Sequence, residues 1–288
     1  MKIALHQITT RNARLEQDLE AYARAGFSAF ELSLSKAQAY AQEHGRQAYR
    51  DLVHASGLQP VGCTGHVVQA FAAADTIRQN ETHFAETLDF MEDIECPVIV
   101  FGGDAPQELP RAADDSEAGL AARDQAYRAD LQRFADQVGR LAALAAPRGI
   151  TMALEMNWCQ LCRSVRTAAE VLDMVGSANL GFLFDPAHFE VSPSRLSDLD
   201  LVRGRIAYGH LDDLRPCPPE LTSVNNDRVI PGEGALPLRE WYEKIAACGY
   251  SGWHSVELFC YDLWQDPVED IARKVKKGCQ QVWPDAVF

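Results

Sequence analysis

The sequence predicts an α/β chain closed into a single (β/α)8 barrel. Eight short apolar runs alternate with longer segments of helical period, and the runs are apolar on both faces, as the strands of a buried parallel sheet must be. Glycine placement agrees. Gly26, Gly57, Gly149 and Gly249 each stand just after a helical segment and shortly before the next apolar run, which is the left-handed stop signal of a helix.

In order, the predicted strands are Ile3 to Leu5, Ala29 to Leu34, Leu58 to Cys63, Pro97 to Phe101, Ile150 to Leu154, Leu180 to Phe184, Arg205 to Tyr208 and Trp253 to Leu258. Amphipathic periodicity between them predicts helices over Leu15 to Ala25, Arg78 to Ile94, Leu120 to Ala146, Thr167 to Val175, Leu238 to Ala247 and Pro267 to Gly278. Eight βα units in 288 residues favour closure over an open sheet. No Ser/Gly-rich linker or composition shift interrupts the chain, so residues 1–288 are expected to form one domain. Two connections are longer than a barrel needs, Gly102 to Ala118 and Asp212 to Leu236. Each follows a strand, where barrels place lids and substrate contacts.

Bulk composition narrows the partners. Lys and Arg number 27 against 41 Asp and Glu, a formal balance of −14, and no local Lys/Arg run offsets it. Nucleic acid and anionic membranes are poor partners for such a field. The opening MKIALHQITT lacks a charged segment followed by an apolar one, and no apolar stretch reaches transmembrane length. With eight scattered cysteines, the expectation is a cytoplasmic protein with reduced thiols. Cys159-Gln-Leu-Cys162 has the spacing of redox and zinc sites, but no second pair completes a tetrahedral cage, and unpaired thiols near the site are the preferred reading. Gly102-Gly103 sits in no phosphate-binding fingerprint, so no nucleotide cofactor is expected. Homo-oligomerisation is left open.

Polar residues at strand ends mark the site. Glu155 ends the fifth run (ITMALEMN), Asp185 the sixth (LGFLFDPAH) and His210 the seventh (RIAYGHLDD), while Glu257 lies in the last (WHSVELF). One glutamate after an apolar run is most often structural; four potential ligands on one rim of a barrel are not. Three carboxylates and an imidazole form a hard donor set suited to one divalent ion, Mn, Mg, Co or Zn. Without a cation they would repel one another.

The segments ALE (153–155), FDPAHF (184–189), GHLDD (209–213), NDRVIPGEGALPL (226–238) and GYSGWHSVELF (249–259) resemble the sugar isomerase and epimerase family of xylose-isomerase-like barrels, and within it the inosose (2-keto-myo-inositol) isomerases. The likeness runs from HQITT to beyond Glu257 and is strongest after Ile150. It implies metal coordination by Glu155, Asp185, His210 and Glu257, with the two glutamates also acting as acid and base, and it implies that His188 binds a substrate oxygen beside the metal. The chemistry of the donors agrees. Moving a carbonyl along a polyol requires removing a proton from the adjacent carbon, and the enediolate so formed needs a Lewis acid on its oxygens.

Around the quartet, Asp212 or Asp213 is placed to accept the free N–H of a ligating imidazole, or else caps a loop. Arg228 is a candidate clamp on substrate hydroxyls or carboxylates, the alternative being an ion pair to Asp227 or Glu233; Arg215 is a second candidate. His6 and His66 end the first and third strands and face the mouth on that count, as ligand contacts or as hydrogen-bonded rim histidines. Trp158, Phe259, Tyr261 and Trp264 wall the pocket or pack in the core. With no Lys/Arg cluster at the site, the expected substrate is a small unphosphorylated polyhydroxy ketone.

Dehydratases of inosose or 3-dehydroshikimate look similar and pass through the same enolate before expelling a hydroxyl, so the four ligands do not separate isomerase from lyase. A DNA-repair endonuclease on this barrel needs a trinuclear zinc cluster and a basic surface, which the acidic balance opposes.

Overall fold

Strand and helix alternate as expected and close on themselves. The computed structural model describes residues 1–157, 161–223 and 226–288. Its strands are β1 (Lys2–His6), β2 (Ala29–Ser33), β3 (Gln59–Val68), β4 (Val98–Gly103), β5 (Thr151–Glu155), β6 (Leu180–Phe184), β7 (Ile206–Leu211), β8 (Asp213–Leu214), β9 (Arg228–Val229) and β10 (Trp253–Val256). Eight of them form a closed barrel in the order β1-β10-β7-β6-β5-β4-β3-β2, with β1 parallel to both β10 and β2. The remaining two, β8 and β9, pair as a small antiparallel ribbon.

The helices are α1 (Leu15–Ala25), α2 (Leu34–His44), α3 (Arg46–Ser56), α4 (Ala74–Glu92), α5 (Glu117–Ala145), α6 (Val165–Val175), α7 (Pro186–Glu190), α8 (Leu238–Ala247) and α9 (Val268–Val282). All six expected from periodicity are present. Three more are present: α7 follows β6, and α2 and α3 fill the connection from β2 to β3, where Leu34, expected to end a strand, starts α2 instead. Gly26, Gly57 and Gly149 close their helices at φ 81°, 69° and 68°, and Gly249 follows α8 at φ 96°.

Two apolar layers hold the barrel. The outer one lies between strands and helices and includes Leu5, Phe30, Phe101, Leu154, Phe182, Phe184 and Val256, each buried. Every large side chain so buried stabilises the fold by roughly 1.5–3 kcal/mol. A second cluster joins Ala4, Ala29, Val61, Val100, Ala153, Leu183 and Tyr208, with Trp253 against it. These come one from each barrel strand and none from a helix, so they fill the interior.

Side chains alternate along a strand with period two. Where the strand is regular, the residue two positions beyond an inner apolar residue therefore also points inward, one layer nearer the carboxyl end; at Val61 the register shifts and Cys63 packs outward instead. Following Ala4, Ala29, Ala153, Leu183 and Tyr208, those residues are His6, Glu31, Glu155, Asp185 and His210. Glu257 stands in the same relation to Ser255. A polar layer thus sits directly on an apolar one. No helix among the described residues is long and apolar enough to cross a membrane.

Candidate active site and metal centre

Local sequence sets each group. In Asp185-Pro-Ala-His188, Asp185 is the N-cap of α7 and Pro186 its first residue, the arrangement favoured at helix starts. Asp185 Oδ1 accepts the backbone N–H of His188 at 2.8 Å, which leaves Oδ2 to face the barrel axis and brings His188 alongside.

The expected quartet converges. One donor atom from each of Glu155, Asp185, His210 and Glu257 lies within 4.8 Å of all the others. His210 Nδ1 is at the centre, 2.9 Å from Glu155 Oε1, 3.4 Å from Asp185 Oδ2 and 3.4 Å from Glu257 Oε2. Among the described residues, Glu155 Oε1, Asp185 Oδ2 and His210 Nδ1 are buried without a hydrogen bond. Buried polar atoms are ordinarily bonded. Three hard oxygens and one imidazole nitrogen facing one another, all but Glu257 Oε2 without a hydrogen bond, fit a divalent cation.

Arg228 lies inside this cluster, 1% exposed. Its Nη1 is 2.5 Å from Glu257 Oε2, its Nη2 3.1 Å from Asp185 Oδ2 and its Nε 3.1 Å from Asp212 Oδ2, while its plane lies over the Phe259 ring. The alternative of a pair to Asp227 or Glu233 does not form; Asp227 instead meets Arg215, which is half exposed at the surface. Arg228 Nη2 also reaches His188 Nε2 at 3.3 Å. A guanidinium only donates, so Nε2 of His188 accepts and the ring proton sits on Nδ1.

Charge is distributed accordingly. Burial alone would raise the Asp185 carboxyl, but Arg228 and His210 hold it well below the usual range. Glu257 is lowered in the same way, burial being outweighed by His210, Arg228 and His6. Asp212, buried beside Asp185 and only partly compensated by Arg228, is pushed well up. Burial opposes charge on His210, yet Glu257 and Glu31 raise it well above an ordinary imidazole.

Neither aspartate expected to orient His210 does so. Asp212 accepts the Ala187 N–H at 3.1 Å, and Asp213 caps its loop through the N–H groups of Leu214, Gly232, Gly234 and Leu236. The partner of His210 Nε2 is Glu31, at 3.4 Å and 0% exposed. Sequence reading missed Glu31. Its signal was a lone carboxylate inside the apolar run AFELSL, two residues beyond the inner-facing Ala29. Asn157, also missed, places Nδ2 3.1 Å from His188 Nε2.

Of the two rim histidines, His6 joins the site and His66 does not. His6 Nε2 lies 3.4 Å from Glu31 Oε1 and 3.6 Å from Glu257 Oε1. His66 packs against His83 and Phe84 of α4. The cause is a register shift between Thr64 and His66, at Gly65 with φ 139°, which reverses the alternation so that Thr64 meets Glu31 inside while His66 turns out.

The apolar candidates divide. Phe259 underlies Arg228, Trp264 donates its indole N–H to the Ile8 carbonyl, and Tyr261 is largely exposed. Trp158 and Cys159 lie outside the described residues; Cys162 is a buried free thiol.

Known proteins share this architecture. Residues 19–280 match the profile of the family described as xylose isomerase-like TIM barrel. An inosose isomerase of Halalkalibacterium halodurans is 26% identical over 98% of this chain and 96% of its own length. Inosose dehydratase 2 of Bacillus cereus is 25% identical over 74% of each chain. A crystal structure described as the IOLI protein with a binding zinc atom superposes with a TM-score of 0.86 at 21% identity, covering 100% of this chain and 99% of that one. By the span of the profile match and by its closed parallel barrel, this chain belongs to the xylose isomerase-like TIM barrel family.

Proposed function

We propose that the chain is a divalent-metal-dependent isomerase or epimerase of a small keto-sugar or keto-cyclitol, of the kind inososes represent, working by proton transfer. The observation that supports this most is how the two glutamates are held. Each turns one oxygen to His210 Nδ1 and keeps the other outside the cluster: Glu155 Oε2 is 4.0 Å from His188 Nε2, and Glu257 Oε1 is 3.6 Å from His6 Nε2. A cation held by Glu155, Asp185, His210 and Glu257 would supply Lewis acidity to the substrate's adjacent oxygens.

The chain's own groups then move protons. One glutamate takes the proton from the carbon beside the carbonyl through its outer oxygen, and the other returns a proton to the neighbouring position. His188 lies next to Glu155 and is proposed to orient a substrate oxygen. Arg228 keeps Glu257 and Asp185 ionised through its two Nη donors and, with Nε on Asp212 and Nη2 also on His188, acts on the site's own groups rather than as a clamp on substrate. Nucleic acid and membranes are not partners in this reading.

A second reading is a dehydratase acting through the same enolate, favoured by the similarity to proteins named inosose dehydratase. Turnover of inososes, ketohexoses and 3-dehydroshikimate in deuterated water, with Mn, Co or Zn supplied, separates the two. An isomerase returns a product of unchanged mass apart from deuterium next to the carbonyl; loss of water assigns the dehydratase. Transfer of substrate hydrogen with no solvent label defeats the proton-transfer mechanism.

A further inference from the structure

We propose that Glu31 is a positioning residue acting through two histidines at once: it directs Nδ1 of His210 at the cation and holds the Nε2–H of His6 beside the outer oxygen of Glu257. This rests on the metal-dependent reading above. Glu31 is fully buried in the middle of β2, facing the barrel interior, and the Thr64 hydroxyl anchors its Oε1. Its carboxylate lies 3.4 Å from His210 Nε2 and 3.4 Å from His6 Nε2.

Hydrogen bonding fixes which nitrogen carries which proton. His6 Nδ1 accepts the backbone N–H of Ile8 at 2.8 Å, so the proton of the neutral ring is on Nε2. That N–H faces Glu31 Oε1 at 3.4 Å and Glu257 Oε1 at 3.6 Å. His210 Nδ1 is surrounded by the ligand carboxylates, so with a cation there the ring's single proton is on Nε2, toward Glu31. A carboxylate behind a ligating imidazole holds its tautomer and orientation and raises its basicity. Here one carboxylate stands behind both a ligand and the partner of a proton-transferring glutamate. Its loss should therefore have two effects that can be measured apart.

Full-length wild type, Glu31→Gln, Glu31→Ala and His6→Gln, each stripped by a chelator, are titrated with Co²⁺ alone; binding is read from the visible absorption band and by chelator competition. Both Glu31 variants should bind Co²⁺ roughly 10–100-fold more weakly, Gln the less impaired because its amide oxygen still accepts from His210, while His6→Gln stays within about threefold of wild type. In the pH dependence of kcat, both His6→Gln and Glu31→Gln should move the limb set by Glu257. Unchanged Co²⁺ affinity in Glu31→Ala overturns the proposal, and if that variant fails to fold, unchanged affinity in the near-isosteric Glu31→Gln does so. Loss in His6→Gln as large as in the Glu31 variants also overturns it, since His6 would then be a ligand. A wild type that takes up no Co²⁺ defeats the metal reading and this inference together, whereas a wild type matched by its Glu31 variants defeats only the role of Glu31.

Discussion

Arg228 and Glu257 are joined twice, since the same Nη1 lies 2.5 Å from the carboxylate Oε2 and 3.1 Å from the backbone carbonyl. The guanidinium thereby fixes both the side chain and the main chain of a candidate ligand. Replacing Arg228 by Gln leaves Asp185, Asp212 and Glu257 buried without their cation. Breaking such a buried pair costs about 3–5 kcal/mol. Metal-free Arg228→Gln should unfold at a clearly lower temperature than metal-free wild type, and added Zn²⁺ or Co²⁺ should recover more stability in the variant. Equal melting of the two metal-free proteins would show that the pair is not stabilising.

Metal content follows from the quartet. Purified protein should carry close to one divalent ion per chain, and chelation should abolish turnover that Mn, Co or Zn restores. Elemental analysis of active and chelated protein checks this, and full activity without metal contradicts it.

Glu155→Gln and Glu257→Gln should each lower kcat at least about a hundredfold even when excess ion restores occupancy, because in the proposed mechanism each carboxylate transfers a proton as well as binding. Occupancy and kcat must be measured on the same samples. Normal turnover in both variants would remove them as acid and base.

Acid stability should depend on two outward-facing histidines. Burial pushes His254, packed on Tyr242 and Tyr250, down to about 3; burial and His83 push His66 down to about 4. Both fall below the ordinary 6.5, so between those values the unfolded chain binds the protons and the folded one does not. Stability is then lost as pH falls from about 6.5 toward 4, at up to about 1.4 kcal/mol per pH unit for each group. Urea midpoints of wild type and His254→Phe at pH 7 and pH 4.5 test it: the variant should lose less on acidification. Parallel losses would exclude His254.

The barrel was legible because its strands are apolar on both faces, and the quartet because polar groups close those runs at Glu155, Asp185, His210 and Glu257. Three features were harder. The segment between β2 and β3 holds two short helices on either side of Gly45, so no single long amphipathic stretch announces α2 and α3. Glu31 could be placed only by knowing that Ala29 faces inward, which a run apolar on both faces conceals. His66 was assigned to the mouth by counting to the end of its strand, and the irregularity at Gly65 reverses such a count. The partner of His210 was sought in the adjoining Asp212 and Asp213, whereas closure of the barrel supplies it from 179 residues away.

Asp213 bonds the N–H groups of Leu214, Gly232, Gly234 and Leu236 at 2.9–3.0 Å, and the β8–β9 ribbon lies between, so the entry and exit of the Arg228 connection are fastened to each other. By this fastening, a change in length between residues 215 and 223 should not reach Arg228. Doubling the length of a closed loop adds only about 0.6 kcal/mol of closure entropy. A short Gly/Ser insertion between Glu220 and Ser223 should therefore leave Co²⁺ affinity unchanged, and a loss of affinity would show that the clasp does not isolate the two. The arrangement separates a stretch of chain free to change in length from the charged floor that holds Arg228.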